Sequence, residues 1–367
     1  MERNINYTYM FKRSFLFIIL MMASVVTSSA QKASELVYTD VNQFAELINQ
    51  GFDNTEMDFS RLPADMKEKT RKAVWDLGLN SAGLAIRFSS DAKCMGAQWT
   101  LLNNFHMNHM PGTGIRGIDL YTLEEGQWKF VGTAQPNGKE SRNIFFRNGD
   151  GSRREYLAYL PLYDGVVKLE IGVDSVSVVS APQVESFTSR KPILFYGTSI
   201  TQGGCASRPG MTYTSILGRW FDCEAINLGF SGNARMDKSM VETIKRVDAE
   251  KYVIDCLPNC TQQIIRDSGY YFISSLAAAR PDVTIYMVEN IDYPDRLVNQ
   301  RTAKDLVEKN QIWSDLYKRL RKEGYKNLRY IPAKGLVGDD DEHSVDGAHL
   351  TDLGFLRMAE GLRRYLK

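Results

Sequence analysis

The sequence has few cysteines and histidines and almost no net charge, and each shortage excludes a class of protein. Its 367 residues include five cysteines and four histidines, and the formal net charge is +1. Five cysteines cannot all pair within one chain, and a chain of this length does not need disulfides to stabilise its fold. We therefore expect mostly free, buried thiols and at most one disulfide. Nucleic-acid binding normally needs a basic surface, so the balanced charge predicts no nucleic-acid partner.

Long apolar runs are also missing, except for one near the amino terminus. Phe15–Val26 is apolar, follows the basic residues Lys12 and Arg13, and precedes small residues that end at Ala30. This is the three-part pattern of a secretory signal, and the run is too short to span a bilayer. We predict that residues 1–30 are a signal peptide cleaved near Ala30. The mature chain would be exported, periplasmic or secreted, with no membrane span.

The remaining chain divides into two halves with different periodicity. After helical signals up to about residue 79, including a helix predicted over Asp65–Leu77, residues 31–185 contain short alternating strands separated by turns. This pattern predicts a β-sandwich or jelly roll. In residues 191–367, five apolar strands alternate with five helices. Uninterrupted apolar strands of this kind predict a parallel five-stranded sheet covered by helices on both faces.

Residues with reactive or hydrogen-bonding side chains follow the predicted strands of the second half. Ser199 lies in Gly-Thr-Ser-Ile after the first strand, Asn259 follows the third, and Asp346 and His349 precede the last helix. Loops at the carboxyl ends of parallel strands usually form the functional site. Because residue 201 is Thr, the serine does not lie in the Gly-x-Ser-x-Gly elbow of α/β-hydrolases.

These residue types are the ones that acyl transfer needs. A serine hydroxyl becomes a good nucleophile only when a base removes its proton, and an imidazole held by a carboxylate is such a base. The three-residue spacing lets Asp346 and His349 lie on one side of the same turn. Backbone N–H groups and an Asn amide can stabilise the oxyanion that develops.

The order of these elements resembles that of the SGNH (GDSL-type) hydrolases over residues 192–367. The resemblance implies a flavodoxin-like three-layer α/β/α fold, with Ser199 as nucleophile, His349 as base and Asp346 as its orienting acid. It also implies an oxyanion hole of the Ser199 N–H, Gly232 and Asn259, with Gly229 as the alternative to Gly232. Two of the family's blocks differ here, since Gly-Thr-Ser-Ile replaces Gly-Asp-Ser-Leu and Leu-Pro-Asn replaces the start of Gly-x-Asn-Asp.

The first half carries a second resemblance. Gly112–Tyr121 looks like the GxDLY motif that precedes some exported bacterial SGNH domains. From the loop before it we predict that Asn104–Thr113 borders the mouth of the site, with His109 and Thr113 as substrate contacts. Glu289, at the end of the fourth strand, is a third candidate contact. The pair His106 and His109 has no evident third ligand, so we predict no metal site and no cofactor.

Other candidate groups have simpler interpretations. His343 could be mistaken for the base, but it follows four acidic residues and is predicted to be a solvated loop residue. Cys205 and Cys256 lie near strand ends, yet neither has a matched base. The predicted function is a serine esterase that removes acyl groups, acetyl above all, from a carbohydrate or small-molecule ester. An acyltransferase with the same residues and a non-catalytic glycan-binding protein are the alternatives, and the oligomeric state is not predicted.

Overall fold

A computed structural model of the protein describes residues 36–188 and 190–367. The predicted signal peptide lies outside these ranges. The strands are β1 Val37–Asp40, β2 Glu46–Ile48, β3 Ala85–Ser90, β4 Met95–Leu101, β5 Ile118–Glu124, β6 Gln127–Ala134, β7 Glu140–Phe146, β8 Arg154–Tyr159, β9 Val166–Val173, β10 Val179–Ser180, β11 Ile193–Gly197, β12 Ala225–Gly229, β13 Lys251–Asp255, β14 Thr284–Val288 and β15 Leu328–Ile331. The helices are α1 Lys72–Gly78, α2 Gly112–Arg116, α3 Ser199–Gln202, α4 Tyr213–Phe221, α5 Lys238–Ile244, α6 Gln262–Ala279, α7 Gln300–Lys322 and α8 Asp352–Leu366. Within the described ranges, none of these helices has the length and apolarity to cross a bilayer.

The first half consists of two antiparallel sheets. One has the strand order β1-β9-β4-β7, and the other has the order β10-β3-β8-β5-β6, with β2 paired to β3. Alternate side chains of both sheets enter one shared core, where Trp99 and Leu169 of the first sheet meet Phe88 and Leu120 of the second. The two sheets therefore pack face to face, and the predicted antiparallel β-domain is confirmed.

The second half contains one parallel sheet with the strand order β12-β11-β13-β14-β15. Every strand pair in it is parallel, as the uninterrupted apolar strands predicted. The first strand of this sheet in chain order is β11. The next strand, β12, pairs on one side of β11, and β13, β14 and β15 follow in order on the other side. Open α/β sheets bind ligands at such a reversal of strand order. The carboxyl end of β11 is therefore the position that the topology favours for a site.

Helices cover both faces of this sheet. Along β11, Leu194 and Tyr196 enter the core under α5 and α6, whereas Ile193 and Phe195 enter the core under α4 and α8. A strand that is apolar at every position is what a sheet buried on both faces requires. The predicted three-layer α/β/α arrangement is confirmed.

One stretch of the first half packs against the parallel sheet rather than within the sandwich. Leu62 and Trp75 join the same core as Leu194. The helix predicted over Asp65–Leu77 is interrupted, because a 3₁₀ turn at Ala64–Met66 is followed by α1 only from residue 72. The segment that was predicted to be helical packs against the second half of the chain, and these contacts could not be foreseen from the local sequence.

Arg71 marks the interruption. Its backbone is extended (φ −61°, ψ 138°), and its guanidinium binds the Asp237 carboxylate at 2.8 Å and the Asn233 carbonyl at 2.7 Å. These tertiary contacts outweigh the local helical preference of the segment. Strands β1 and β2 were missed in the same region because they are only four and three residues long. Pairing with β9 and β3 makes them strands.

Candidate active site

Ser199 is the first residue of a short helix directly after β11. Gly197 ends the strand, and a Cβ at that position would lie 1.9 Å from Thr201 Oγ1, so only glycine fits the turn. Thr198 caps α3 by accepting a hydrogen bond from the Ile200 N–H at 3.3 Å. The Ser199 carbonyl accepts from the Gly203 N–H at 2.9 Å. This turn fixes the backbone of Ser199 at the carboxyl end of the strand.

His349 faces Ser199 from the loop before α8. Its Nε2 lies 2.9 Å from Ser199 Oγ, and its Nδ1 lies 2.7 Å from Asp346 Oδ2. A bridge between Ser344 and Leu350 closes this loop, and the Val345 N–H donates to the His349 carbonyl at 2.8 Å. The three side chains therefore form one hydrogen-bonded line, in the arrangement that activates a serine.

The Asp346 carboxylate is held in its ionised form. Burial raises its pKa, but hydrogen bonds outweigh this effect and lower the pKa to about 2. The donors are the His349 N–H at 2.8 Å, the His349 imidazole, and the Ala348 N–H at 3.0 Å. Because the carboxylate takes two backbone N–H bonds through Oδ1, its Oδ2 is left for the imidazole. Asp346 can therefore orient His349 and stabilise the imidazolium without taking its proton.

The candidate oxyanion donors lie in the turns that follow three adjacent strands, β12, β11 and β13. The Ser199 N–H lies at the amino end of α3, and Asn259 lies in a 3₁₀ turn that follows β13, the neighbour of β11. Asn259 Oδ1 accepts from the Ala234 N–H at 3.3 Å, which leaves its Nδ2 hydrogens for another acceptor. Asn259 is thereby tied to the loop that carries Gly232.

The two glycines proposed for the oxyanion hole differ in what their N–H groups do. The Gly229 N–H donates to Asn227 Oδ1 at 2.9 Å, so it is already engaged. Gly232 has φ +68°, is exposed, and borders open space on its Cβ side. Within residues 36–188 and 190–367, no acceptor takes the Gly232 N–H. Gly232 is the candidate that the geometry favours.

This fold and this site can be compared with known proteins. The sequence pattern of the GDSL-like lipase/acylhydrolase family matches residues 190–367, and the pattern of the GxDLY amino-terminal region of SGNH-type esterases matches residues 36–179. A crystal structure of a GDSL-like lipase from Bacteroides ovatus is 32% identical, with a TM-score of 0.86 over 90% of this chain and 97% of that one. The chain belongs to the GDSL-like lipase/acylhydrolase family. It is accordingly a carboxylic ester hydrolase.

More distant members of the fold have been solved with other activities. The salicylyl-acyltransferase SsfX3 of a tetracycline biosynthetic pathway has a TM-score of 0.71 at 13% identity, covering 90% of this chain and 96% of that one. Est2A, an acetyl xylan esterase from the rumen bacterium Butyrivibrio proteoclasticus, has a TM-score of 0.53 at 11% identity, covering 90% and 98%. At these identities the likeness establishes the shared fold. No curated protein sequence matches the chain.

The GxDLY motif of this GDSL-type chain holds the loop that follows the serine. Asp119 is fully buried, and its Oδ2 accepts from Arg208 Nη1 at 2.8 Å and from the Gly210 N–H at 2.9 Å. The Tyr121 hydroxyl accepts from the same Arg208 Nη1 at 2.6 Å. The acidic and aromatic residues of the motif therefore fix residues 208–210 rather than face solvent. A structural anchor between the two halves is the role that these contacts support.

The loop before the motif reaches the site. The His109 ring lies 5.6 Å from the His349 ring, centroid to centroid, and the two planes are tilted by 51°. Thr113 lies farther along and donates to the Ser207 carbonyl at 2.6 Å, which joins the halves of the chain. The structure therefore places His109 of this loop beside His349, which agrees with the prediction that the loop borders the site. Of the two candidate contacts in this loop, His109 is exposed and Thr113 already has a partner.

Glu289 is already engaged elsewhere. Its Oε1 accepts from the Tyr330 hydroxyl at 2.5 Å, and its Oε2 accepts from the Ala333 N–H at 2.8 Å. Both oxygens thus connect the ends of β14 and β15. The prediction that Glu289 contacts substrate is not supported by this geometry, since a strand-end carboxylate here has its hydrogen bonds satisfied by protein.

His343 was predicted to be solvated, and this was wrong. Its side chain is 1% exposed, and its Nε2 lies 3.0 Å from the Asp292 carbonyl. The acidic residues before it suggested solvent, but the loop folds back and its backbone carbonyl accepts from the Thr351 N–H at 2.8 Å. His343 is a packing element beneath the Asp346 loop and does not contact Ser199.

The cysteines do not compete with Ser199. Within residues 36–188 and 190–367, Cys205, Cys223, Cys256 and Cys260 form no disulfide. Cys205 lies near the site, but burial, together with the charge of Asp346, raises the pKa of its thiol to about 12. Burial also raises the pKa of Cys256 well above its usual range, with Cys260 as a further cause. A thiol needs its thiolate form to attack, so both residues are poor nucleophiles.

Two buried residues support the site and were missed in the sequence. Gln202 donates to the Leu162 carbonyl at 3.0 Å and accepts from the Ser231 N–H at 3.0 Å. It thus joins the first half, the serine helix and the Gly232 loop. The Tyr163 hydroxyl donates to the Ser199 carbonyl at 3.3 Å. Nothing in the local sequence pattern identifies such contacts, because they connect segments that are far apart in the chain.

Proposed function

We propose that this chain is an exported serine esterase that removes acyl groups, principally acetyl, from carbohydrate. The observation that carries the proposal is the hydrogen-bonded line from Ser199 Oγ to His349 at 2.9 Å and from His349 to Asp346 at 2.7 Å. With the Ser199 N–H, Gly232 and Asn259 in the turns after β11, β12 and β13, each requirement of acyl transfer has a candidate residue.

The proposed reaction proceeds in two halves. His349 Nε2 takes the Ser199 proton as Oγ bonds to the ester carbonyl carbon, and the carbonyl oxygen becomes an oxyanion held by the three donors. When the intermediate collapses, His349 returns the proton to the departing alcohol and leaves an acyl-Ser199. Water then attacks the acyl carbon as His349 takes its proton. Collapse of the second intermediate releases the carboxylic acid and restores the Ser199 hydroxyl.

Carbohydrate as the alcohol is supported by the border of the site. Loops at the carboxyl ends of the strands form a shallow site, and the exposed loop that contains His109 borders it from the first half. The likeness of the whole two-part chain to the acetyl xylan esterase Est2A favours the same class of substrate. The amino-terminal residues 1–30 support export, since polysaccharide esters lie outside the cell membrane.

An acyltransferase is the second candidate, favoured by the likeness to SsfX3 at a TM-score of 0.71. The two activities differ only in whether water or another hydroxyl reaches the acyl-enzyme. Product analysis with and without an acceptor sugar separates them: hydrolysis yields free acetate in both cases, whereas transfer yields an acylated acceptor. The complete set of candidate groups argues against a purely glycan-binding protein.

Ser199→Ala tests the proposal. We expect this variant to keep the fold and lose nearly all release of acetate from acetylated polysaccharide and from 4-nitrophenyl acetate, since the nucleophile is gone. An organophosphonate should label Ser199 in the native chain. Ser239→Ala, in α5 away from the site, is the matched control. Full activity in Ser199→Ala would overturn the mechanism, and amino-terminal sequencing of secreted protein tests the cleavage near Ala30.

A further inference from the structure

Four side chains of the types that bind zinc meet at the candidate active site. They are His109, Cys205, Asp346 and His349, and each offers a ligand atom within 4.8 Å of every other. They come from three separate segments: the loop before the GxDLY motif, the loop after the serine helix, and the loop before α8. The sequence showed only the close pair of His106 and His109, so the other ligands could not be connected with them.

The chemistry of this set is specific. Imidazole nitrogen, thiolate sulfur and carboxylate oxygen are the ligands that Zn²⁺ accepts in four-coordinate sites, whereas Mg²⁺ and Ca²⁺ prefer oxygen alone. With bonds of about 2.0–2.3 Å, neighbouring ligand atoms around tetrahedral zinc lie roughly 3.3–3.8 Å apart. The observed spread of up to 4.8 Å must therefore contract by about 1 Å.

The part of the set that must move is free to do so. His109 is exposed, and its Nδ1 lies 3.1 Å from the neighbouring Asn108 Oδ1, which leaves Nε2 for a ligand. The side chains of His349 and Asp346 are 25% and 33% exposed, so a cation reaches them from solvent. Cys205 forms the buried floor at 5% exposure.

The backbone of Cys205 is consistent with a use for its side chain. Its φ is +72°, in the left-handed region that a non-glycine residue occupies at a free-energy cost. Gly203 and Gly204 immediately precede it, so the turn already contains glycine where flexibility is needed. A cysteine held in this conformation places its sulfur in the group of four.

We propose that His109, Cys205, Asp346 and His349 capture Zn²⁺ reversibly, and that the bound ion blocks the esterase. Binding converts the Cys205 thiol to a thiolate and releases its proton to solvent. Zinc bound to His349 Nε2 occupies the lone pair that takes the Ser199 proton, and zinc bound to His349 Nδ1 breaks the hydrogen bond to Asp346. Either contact stops proton transfer from Ser199. The ion is an inhibitor here and takes no part in the proposed reaction. The inhibitory effect rests on the proposed function, whereas the binding does not.

Binding is measured first, on the untagged mature chain. Isothermal titration with Zn²⁺ should show one site in the native protein and in two matched controls, His106→Ala and Cys223→Ser. Affinity should fall by about 10–100-fold or more in His109→Ala and in Cys205→Ser, because loss of even an outer-shell partner of a metal ligand costs that much. Co²⁺ should give a sulfur-to-metal charge-transfer band that Cys205→Ser lacks. Absence of binding, or equal affinity in all five proteins, would overturn the proposal.

Inhibition is measured on 4-nitrophenyl acetate, each variant against its own zinc-free rate. Zinc should inhibit the native chain and both controls, and EDTA should restore activity. In His109→Ala and Cys205→Ser the inhibiting concentration should rise by about tenfold or more. Zinc that binds without inhibiting would refute the block. The Ser199→Ala variant should still bind Zn²⁺, so a failure of the proposed function and a failure of the zinc site give different results.

Discussion

In the parallel half, Ser199, Asn259 and the Asp346–His349 pair all follow strands of the sheet at their carboxyl ends. They are the candidate groups for acyl transfer. The antiparallel half contributes none of these groups, yet it reaches the same end of the sheet. Tyr163 holds the Ser199 carbonyl, and Asp119 holds the loop after the serine. One half thus supplies the candidate reactive groups, whereas contacts from the other half hold them in position. Variants in each half should separate these two contributions.

The largest effect is expected for the reactive groups of the parallel half. His349→Ala should lower kcat by on the order of 10⁶-fold, and Asp346→Asn by on the order of 10⁴-fold, because base and nucleophile act as a unit while the carboxylate orients. Steady-state kinetics on 4-nitrophenyl acetate measures both. His106→Ala, in the loop before the GxDLY motif, is the control. Losses below about tenfold in His349→Ala would contradict the assignment.

The same groups predict the pH dependence of activity. With the pKa of Asp346 lowered to about 2, its carboxylate is ionised throughout the assay range and contributes no change above pH 4. Protonation of Asp346 should therefore lower activity only as the pH falls below about 4, towards this pKa. The kcat/KM of Asp346→Asn relative to that of the native chain, measured from pH 3 to 5, reports this loss, because the asparagine does not titrate. A native activity that has already dropped to the activity of the variant at pH 5 would contradict the ionised carboxylate.

The next effect concerns an anchor from the first half. Arg61 is buried, and its guanidinium donates to four backbone carbonyls: Leu77 at 2.6 Å, Asn80 at 2.8 Å, Asn227 at 3.0 Å and Gly229 at 2.8 Å. Arg61→Met leaves these acceptors buried and unpaired, so the free energy of unfolding should fall by about 3–5 kcal/mol. Urea denaturation measures the change, with exposed Arg142→Met as control. Equal stability of the two variants would show that the anchor is unimportant.

Most of the parallel half could be predicted from the sequence, whereas the contacts that hold the site in place could not. The five strands from Ile193 onward were recognisable because strands buried on both faces are mostly apolar, as Ile193–Gly197 is throughout. Asp346 and His349 were recognisable as a pair because only three residues separate them, whereas Ser199 was identified by its position after the first strand and by the resemblance to SGNH hydrolases. Gln202 and Arg61 were missed because their partners lie in distant segments. Burial of His343 was missed for the same reason.

A buried carboxyl of the parallel half gives an effect on stability that depends on pH. Asp255 ends β13 beneath the serine helix, and its Oδ2 accepts from the Tyr213 hydroxyl at 3.0 Å. Burial raises its pKa to about 7, against about 3.9 for an unfolded aspartate. Between these values the folded chain holds a proton that the unfolded chain lacks. Stability therefore falls as pH rises through this window, by up to about 1.4 kcal/mol per pH unit.

Asp255→Asn should remove this dependence, because the amide stays neutral. Relative to the native chain, the variant should gain stability as pH rises from 4 to 7 and hold a constant advantage above about pH 7. Urea denaturation of both proteins at pH 4, 6 and 8 measures the difference. A difference that stays the same at all three pH values would show that Asp255 is already ionised in the fold.

The smallest effect concerns the wall that the first half adds to the site. The His109 ring lies 5.6 Å from the His349 ring and is exposed, so a bulky ester alcohol bound at Ser199 comes within its reach. His109→Ala removes one hydrogen-bonding group from that wall, which corresponds to about a two- to tenfold loss. We expect KM for an acetylated polysaccharide to rise by this factor, with a smaller change for 4-nitrophenyl acetate, whose alcohol part is short. His106→Ala, three residues earlier in the same loop, should leave the ratio of the two substrates as in the native chain. Equal losses on both substrates in His109→Ala would indicate that His109 acts in the reaction itself. An unchanged KM for the polysaccharide would show that His109 does not bind the substrate.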